Sequence, residues 1–195
     1  MKKLMIIAIA TVFVVGMAAV SYAVDTVTQS AQATVSGVMS IEFAAGSDST
    51  FGSGAIPWTS IDPGGDNNIV PPTGHSGTKC DTAVIAKCNS APTGWDLKMS
   101  ISGDLVGKVK YYMGQPINRN TSTATNGTVV GGIPAAGSDW PVIPASATAV
   151  YQSNNDTVNV PFGTFIGVSY GLNPVGLTTG VTYNSTITYT IATRV

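Results

Sequence analysis

The chain is poor in charge. Of its 195 residues only 10% are Asp, Glu, Lys or Arg, against about a quarter in an ordinary soluble domain. It has one histidine and two cysteines. Each scarcity excludes something. Its nine basic residues form no patch for nucleic acid and no cluster for anionic lipid. Two cysteines and the single, distant His75 do not supply the four ligands of a structural zinc. The chain contains no Gly-x-Ser-x-Gly elbow, no phosphate-cradling glycine loop and no Cys-x-x-Cys-His haem signature. Helical periodicity is missing too: no stretch of useful length repeats its apolar residues every three or four positions.

What is present begins at the N-terminus. Lys2 and Lys3 open the chain, an apolar run follows from Leu4 to Val20, and Ser21-Tyr22-Ala23 puts small residues at −3 and −1 of a cut. That layout predicts a secretory signal peptide over residues 1–23. A retained anchor is the alternative, because the apolar run is about long enough to span a bilayer; the abrupt change to polar sequence after Ala23 favours cleavage. The expected location is secreted, extracellular or on the cell surface. The membrane would be touched only through an uncleaved signal.

Cleavage leaves 172 residues, enough for one domain with a real core. Lys2 and Lys3 leave with the signal, so 7 basic side chains face 10 acidic ones. The polar surface must then come from Thr, Ser, Asn and Gly. Such a surface lacks strong charge repulsion and can self-associate. Residues 24–33 read as a polar N-terminal arm free of Pro and Gly, and residues 34–195 as a single domain.

Several stretches alternate at period two. Residues 35–43 put Val35, Gly37, Met39, Ile41 and Phe43 on one face. Residues 95–101 put Trp95, Leu97, Met99 and Ile101 on one face. Residues 181–193 set Val181, Tyr183, Ser185, Ile187, Tyr189 and Ile191 against a face of Thr, Asn and Ala. One wet face at period two predicts antiparallel sheet. Shorter strand candidates lie at 82–86, 106–113, 128–130, 147–152, 157–162 and 165–171. Ser153-Asn154-Asn155-Asp156 reads as a hairpin loop and Asn126-Gly127 as a type I′ turn. About eight or nine strands with long loops predict an Ig-like antiparallel β-sandwich. Residues 46–78 are long for a connection. They hold either a short edge strand near 56–61 or an ordered loop pinned by Trp58. An outer-membrane barrel needs more ten-residue alternations than this chain has.

Candidate sites are few. His75 reads as a solvent-loop histidine: Asp66 and Asp81 are near in sequence, but nothing fixes a triad. Glu42 and Asp96 sit on polar strand faces as ordinary solvated charges rather than a glycosidase pair. No catalytic residue is assigned, and no enzyme is expected. Export makes a disulfide the default for Cys80 and Cys88. A straight strand between them would hold them about 26 Å apart, so either the segment bends back or they are not bonded to each other. Asp62 and Asp66, in a turn rich in oxygen ligands, are the calcium candidates, with Asp48 near enough in sequence to join them, though Asp and Asn also favour turns without metal. No other cofactor is implied. Trp95 is expected in the core, and Trp58 and Trp140 as loop anchors or as stackers for a ligand. The sequons at Asn120, Asn126, Asn155 and Asn184 are abundant enough to arise by chance.

The run Ala31-Gln32-Ala33-Thr34-Val35-Ser36-Gly37-Val38, leading to Ile41-Glu42-Phe43, is followed by Ser60-Ile61-Asp62-Pro63-Gly64, Cys88-Asn89 and Gly94-Trp95-Asp96-Leu97. The chain closes on the alternating segment from Gly180 to Ile191. This order resembles the broad group of secreted prokaryotic Ig-like sandwiches of coat, pilus and surface-fibre subunits, the spore-coat-U and camelysin types among them. The motifs are patterns of strand and turn, and no functional residue carries over. The resemblance implies a non-catalytic structural subunit whose partner is another copy of itself or another cell-surface component. Residues 24–33 would add a strand to a neighbour's open sheet edge. A surface adhesin or carbohydrate-binding module using Trp58 and Trp140 is the competing class.

Overall fold

The alternating segments 39–43, 95–101 and 185–193 form strands. The computed structural model describes residues 39–44, 47–59, 61–63, 69–88, 94–119, 121–125, 127–134, 139–154 and 163–194. Among the described residues there is no helix; nine strands make two antiparallel sheets packed as a β-sandwich. They are β1 (Met39–Phe43), β2 (Thr82–Cys88), β3 (Trp95–Gly103), β4 (Val109–Met113), β5 (Ile117–Asn118), β6 (Thr128–Val129), β7 (Thr148–Gln152), β8 (Thr164–Leu172) and β9 (Ser185–Thr193). One sheet runs β1-β2-β8-β4, with β5 also paired to β8; the other runs β6-β7-β3-β9. No helix among the described residues is long and apolar enough to cross a membrane.

The core lies between the sheets. The inward row of β3, Trp95, Leu97, Met99 and Ile101, is fully buried. It packs in one cluster with Val84, Ile166, Val168 and Tyr170. Trp95 leans on Tyr151 with ring centroids 5.4 Å apart. β2 differs from the other strands because both of its faces are covered. Its outward Ala83 and Ile85 pack with Ala44, Cys80 and Phe165 in a second, small cluster. A strand buried on both faces needs no alternation, which is why the run Ala83-Val84-Ile85-Ala86 is apolar throughout.

The last strand starts later than the alternation suggests. β9 begins at Ser185 rather than Val181, because its partner β3 ends at Gly103, opposite Ser185. There Gly103 adopts φ 99°, a left-handed conformation that ends the strand. Asp104 and Asn184 close the junction with two hydrogen bonds of 2.9 Å. Among the described residues no strand forms near 56–61: Pro57 cannot donate to a ladder, and the described part of the segment is irregular. It is instead the pinned loop. Trp58 Nε1–H donates to the Val70 carbonyl at 3.0 Å, and Thr59 N–H donates to Thr73 Oγ1 at 2.9 Å. Val70 and Leu172 exchange a backbone pair that ties this loop to the end of β8. The strand candidate at 157–162, the arm at 24–33, the signal at 1–23, and Asn126, Asn155 and Asp156 of the turn readings lie outside the described residues.

Candidate functional site

The four sheet edges are not alike. β6 is two residues long. The β4 edge carries Lys110 and is bridged by Val142. β1 is five residues long and carries Glu42, which pairs with Lys87 at 2.8 Å. Short length, charge and cover are the usual protections against strand addition. Among the described residues β9 is neither short nor charged nor bridged by a further strand, although β1 faces part of it. Ser185-Thr186-Ile187-Thr188-Tyr189-Thr190-Ile191-Ala192-Thr193 is nine residues with no charge and no proline. Among the described residues β9 pairs only with β3.

The inward row of β9 is also incompletely covered. Ile187, Tyr189 and Ile191 pack against the main core, yet all three stay half-buried. The cause is across the gap. β1 faces β9 there, and it stops at Phe43. Beyond Phe43 the two sheets stand apart around a groove of about 870 Å³. Its floor includes Ile101, Leu105, Val109 and Leu172; its walls are residues 52–59 and 177–187. Phe43 itself is 47% exposed and meets the Tyr189 ring edge-to-face at 6.2 Å.

Two tyrosines join the sheets under the groove. The hydroxyls of Tyr170 on β8 and Tyr189 on β9 are hydrogen-bonded to each other. Burial pushes Tyr170 up to about 12, against an ordinary 10.0, and also pushes Tyr189 well up; nearby charge adds to both. A proton held more tightly in the folded state stabilises the fold fully below pH 10 and stops doing so as pH rises toward 12. Absorbance titration near 295 nm should therefore show both tyrosines ionising only with loss of near-ultraviolet circular dichroism, in one cooperative alkaline step. Smooth ionisation near pH 10 with the fold intact would contradict the buried pair.

A second concavity, about 560 Å³, opens on the outer face of the other sheet. Small residues of β8, Gly167 and Ser169, make its floor. Tyr112 of β4 and Trp140 wall one side, in tilted contact at 5.6 Å and 36°. Trp140 lies over Gly171, where an added Cβ would come within 3.6 Å of its ring. The other side is the segment from His75 to Cys80, together with Asp48. His75 is not the solvent-loop residue expected. Its Nδ1–H donates to Asp81 Oδ1 at 2.7 Å, and Asp81 is completely buried. The carboxylate can only accept, which places the ring proton on Nδ1. The second Asp81 oxygen accepts from Tyr170 N–H at 2.8 Å. Sequence reasoning missed this because Asp81 stands just before a strand that reads as apolar, and only the sheet pairing brings residue 170 to it.

The other named residues are dispersed. Cys80 and Cys88 are not bonded to each other, the second of the two alternatives left open by their spacing. They flank the straight strand β2, whose extended backbone carries them too far apart. The Cys80 thiol donates to the Asp48 carbonyl at 3.6 Å, and burial raises its pKa. Glu42 and Asp96 lie in different sheets, and Asp96 faces Arg194 at 3.7 Å. Asp62 is exposed and Asp66 lies outside the described residues; among the described residues no three metal-ligating side chains gather. Trp58 and Trp140 are far apart in role: Trp58 pins its loop, while Trp140 walls the outer cleft. Comparisons with protein-family models, curated proteins and solved structures return no match.

Proposed function

We propose that this protein is a non-catalytic structural subunit of an extracellular fibre, pilus or coat, exported through residues 1–23 and joined to its neighbours by β-strand addition. The observation that carries the reading is the β9 edge, which is long, uncharged and free of proline beside a half-covered apolar row. Edges of that kind template another strand. The other edges are shortened, charged or bridged, so addition is directed to one side of the sandwich.

The occupant is the arm of a second copy. From residue 25 onward the sequence alternates. Val27, Ala31, Ala33 and Val35 fall on one face, interrupted by Gln29; Thr26, Thr28, Ser30, Gln32 and Thr34 fall on the other. That is the pattern of a strand with one face in an apolar groove and one in water. Ten residues of strand reach about 33 Å, close to the roughly 30 Å of β9. The low charge of the mature chain removes the repulsion that would oppose packing many copies together. Negative-stain microscopy of the purified chain beginning at Val24 should show filaments or continuous coat. Dispersed particles of one subunit at every concentration would contradict the reading.

A further inference from the structure

The outer cleft is independent of the assembly groove and lies on the opposite sheet's exterior. We propose that it binds a neutral saccharide, with the sugar ring stacked on Tyr112 and Trp140.

The walls offer two kinds of contact. Tyr112 and Trp140 present a half-exposed aromatic pair: the rings touch each other, and Trp140 and Ile69 both lie over Gly171. An aromatic face takes the apolar C–H side of a ring and loses little conformational freedom in doing so. Opposite stand His75, Ser76, Thr78 and Asp48, with Gln115 and Ser169 nearby. These are hydroxyl, amide, imidazole and carboxylate groups, which between them both donate and accept. Sugar hydroxyls require both.

The arrangement also argues against other ligands. The carboxylates close to the cleft already have cations: Asp48 pairs with Arg119 at 3.3 Å, and Asp139 pairs with Lys110. Lys79 is the one basic residue of the lining, so a phosphate or a nucleotide would meet a single cation and a carboxylate. A purely apolar ligand would leave the polar wall unpaired at a cost. A neutral polyhydroxylated ring meets neither penalty. His75 is oriented for the task, because Asp81 holds its Nδ1 and leaves Nε2 as the ring's remaining polar atom. The volume lies within the range of small-molecule sites, about 300–1,000 Å³.

The test is titration of the folded protein with cellohexaose, maltohexaose and chitohexaose, followed by intrinsic fluorescence and by NMR. At least one should bind with a dissociation constant below about 1 mM, a typical limit for weak single-site recognition. Trp140→Ala and Tyr112→Leu should each weaken that binding at least tenfold while circular dichroism and melting stay those of a folded domain. Ile187→Ala, in the assembly groove, should leave it unchanged. If a variant unfolds, chemical-shift changes confined to Ser169, Gly167 and His75 in the parent protein decide the location instead. Absence of binding by all three probes, or binding that Trp140→Ala leaves intact, overturns the proposal without touching the assembly reading.

Discussion

A chain that begins at Thr34 is expected to fold, stay monomeric and form no filaments. Every strand of the described sandwich begins after that residue, so removing residues 24–33 takes none of the nine described strands. It takes only the segment assigned to the neighbour's β9. The effect should be all-or-none in microscopy and should appear in sedimentation as one species of about the subunit mass. A synthetic peptide of residues 24–35 should bind the shortened subunit, since the groove is then empty in every copy. Filaments of normal length from the shortened chain would place the junction elsewhere. An arm that folds back into its own groove would instead give monomers from both the full and the shortened chain, which also contradicts assembly through β9.

The largest effect on stability is expected at Trp95. It is 1% exposed, the biggest side chain of the core, and in tilted contact with Tyr151. Trp95→Ala should cost about 3–5 kcal/mol through lost burial and the cavity left behind, lowering the melting temperature by about 10 °C or more. Its indole N–H has no hydrogen-bond partner among the described residues. A buried donor without an acceptor already carries its desolvation cost. Trp95→Phe keeps most of the ring and removes that donor, so it should cost well under half as much as the alanine variant. Urea unfolding of the two variants measures the difference; equal losses would mean that the N–H, not the packing, matters.

Much of the sandwich was legible because its physics is local. Trp95-Asp96-Leu97-Lys98-Met99 alternates strictly, and β3 buries the apolar row it announces. Ile187, Tyr189 and Ile191 likewise announce the inward face of β9. The start of β9 was not legible, since Val181 and Tyr183 continue the alternation and only the length of β3 decides where pairing stops. β5 was missed because two residues hold no period. The cysteines illustrate the limit of compartment reasoning: export favours a bridge, but a straight β2 forbids one between Cys80 and Cys88.

The sites divide in the same way. The proposed donor role of residues 24–33 rests on their sequence alone, since they lie outside the described residues. The β9 edge was not legible, because an edge is defined by what fails to pair with it and not by its own residues. Three residue groups far apart in sequence, near 43, 101 and 187, meet only after the two sheets stack. The outer cleft was half legible. Trp140 stood out as a loop aromatic, but its partner Tyr112 is hidden in an ordinary strand, and the His75–Asp81 pair depends on β8 supplying Tyr170 N–H.

Amide hydrogen exchange along β9 tests the central claim most directly. In the subunit that begins at Thr34, the β9 amides not bonded to β3 face solvent and should exchange quickly. Adding the peptide of residues 24–35 should slow them by about 100-fold or more, as expected when an edge becomes an interior strand, while β6 and β4 stay unchanged. Unaltered exchange at residues 185–193 with the peptide bound would contradict strand addition at this edge.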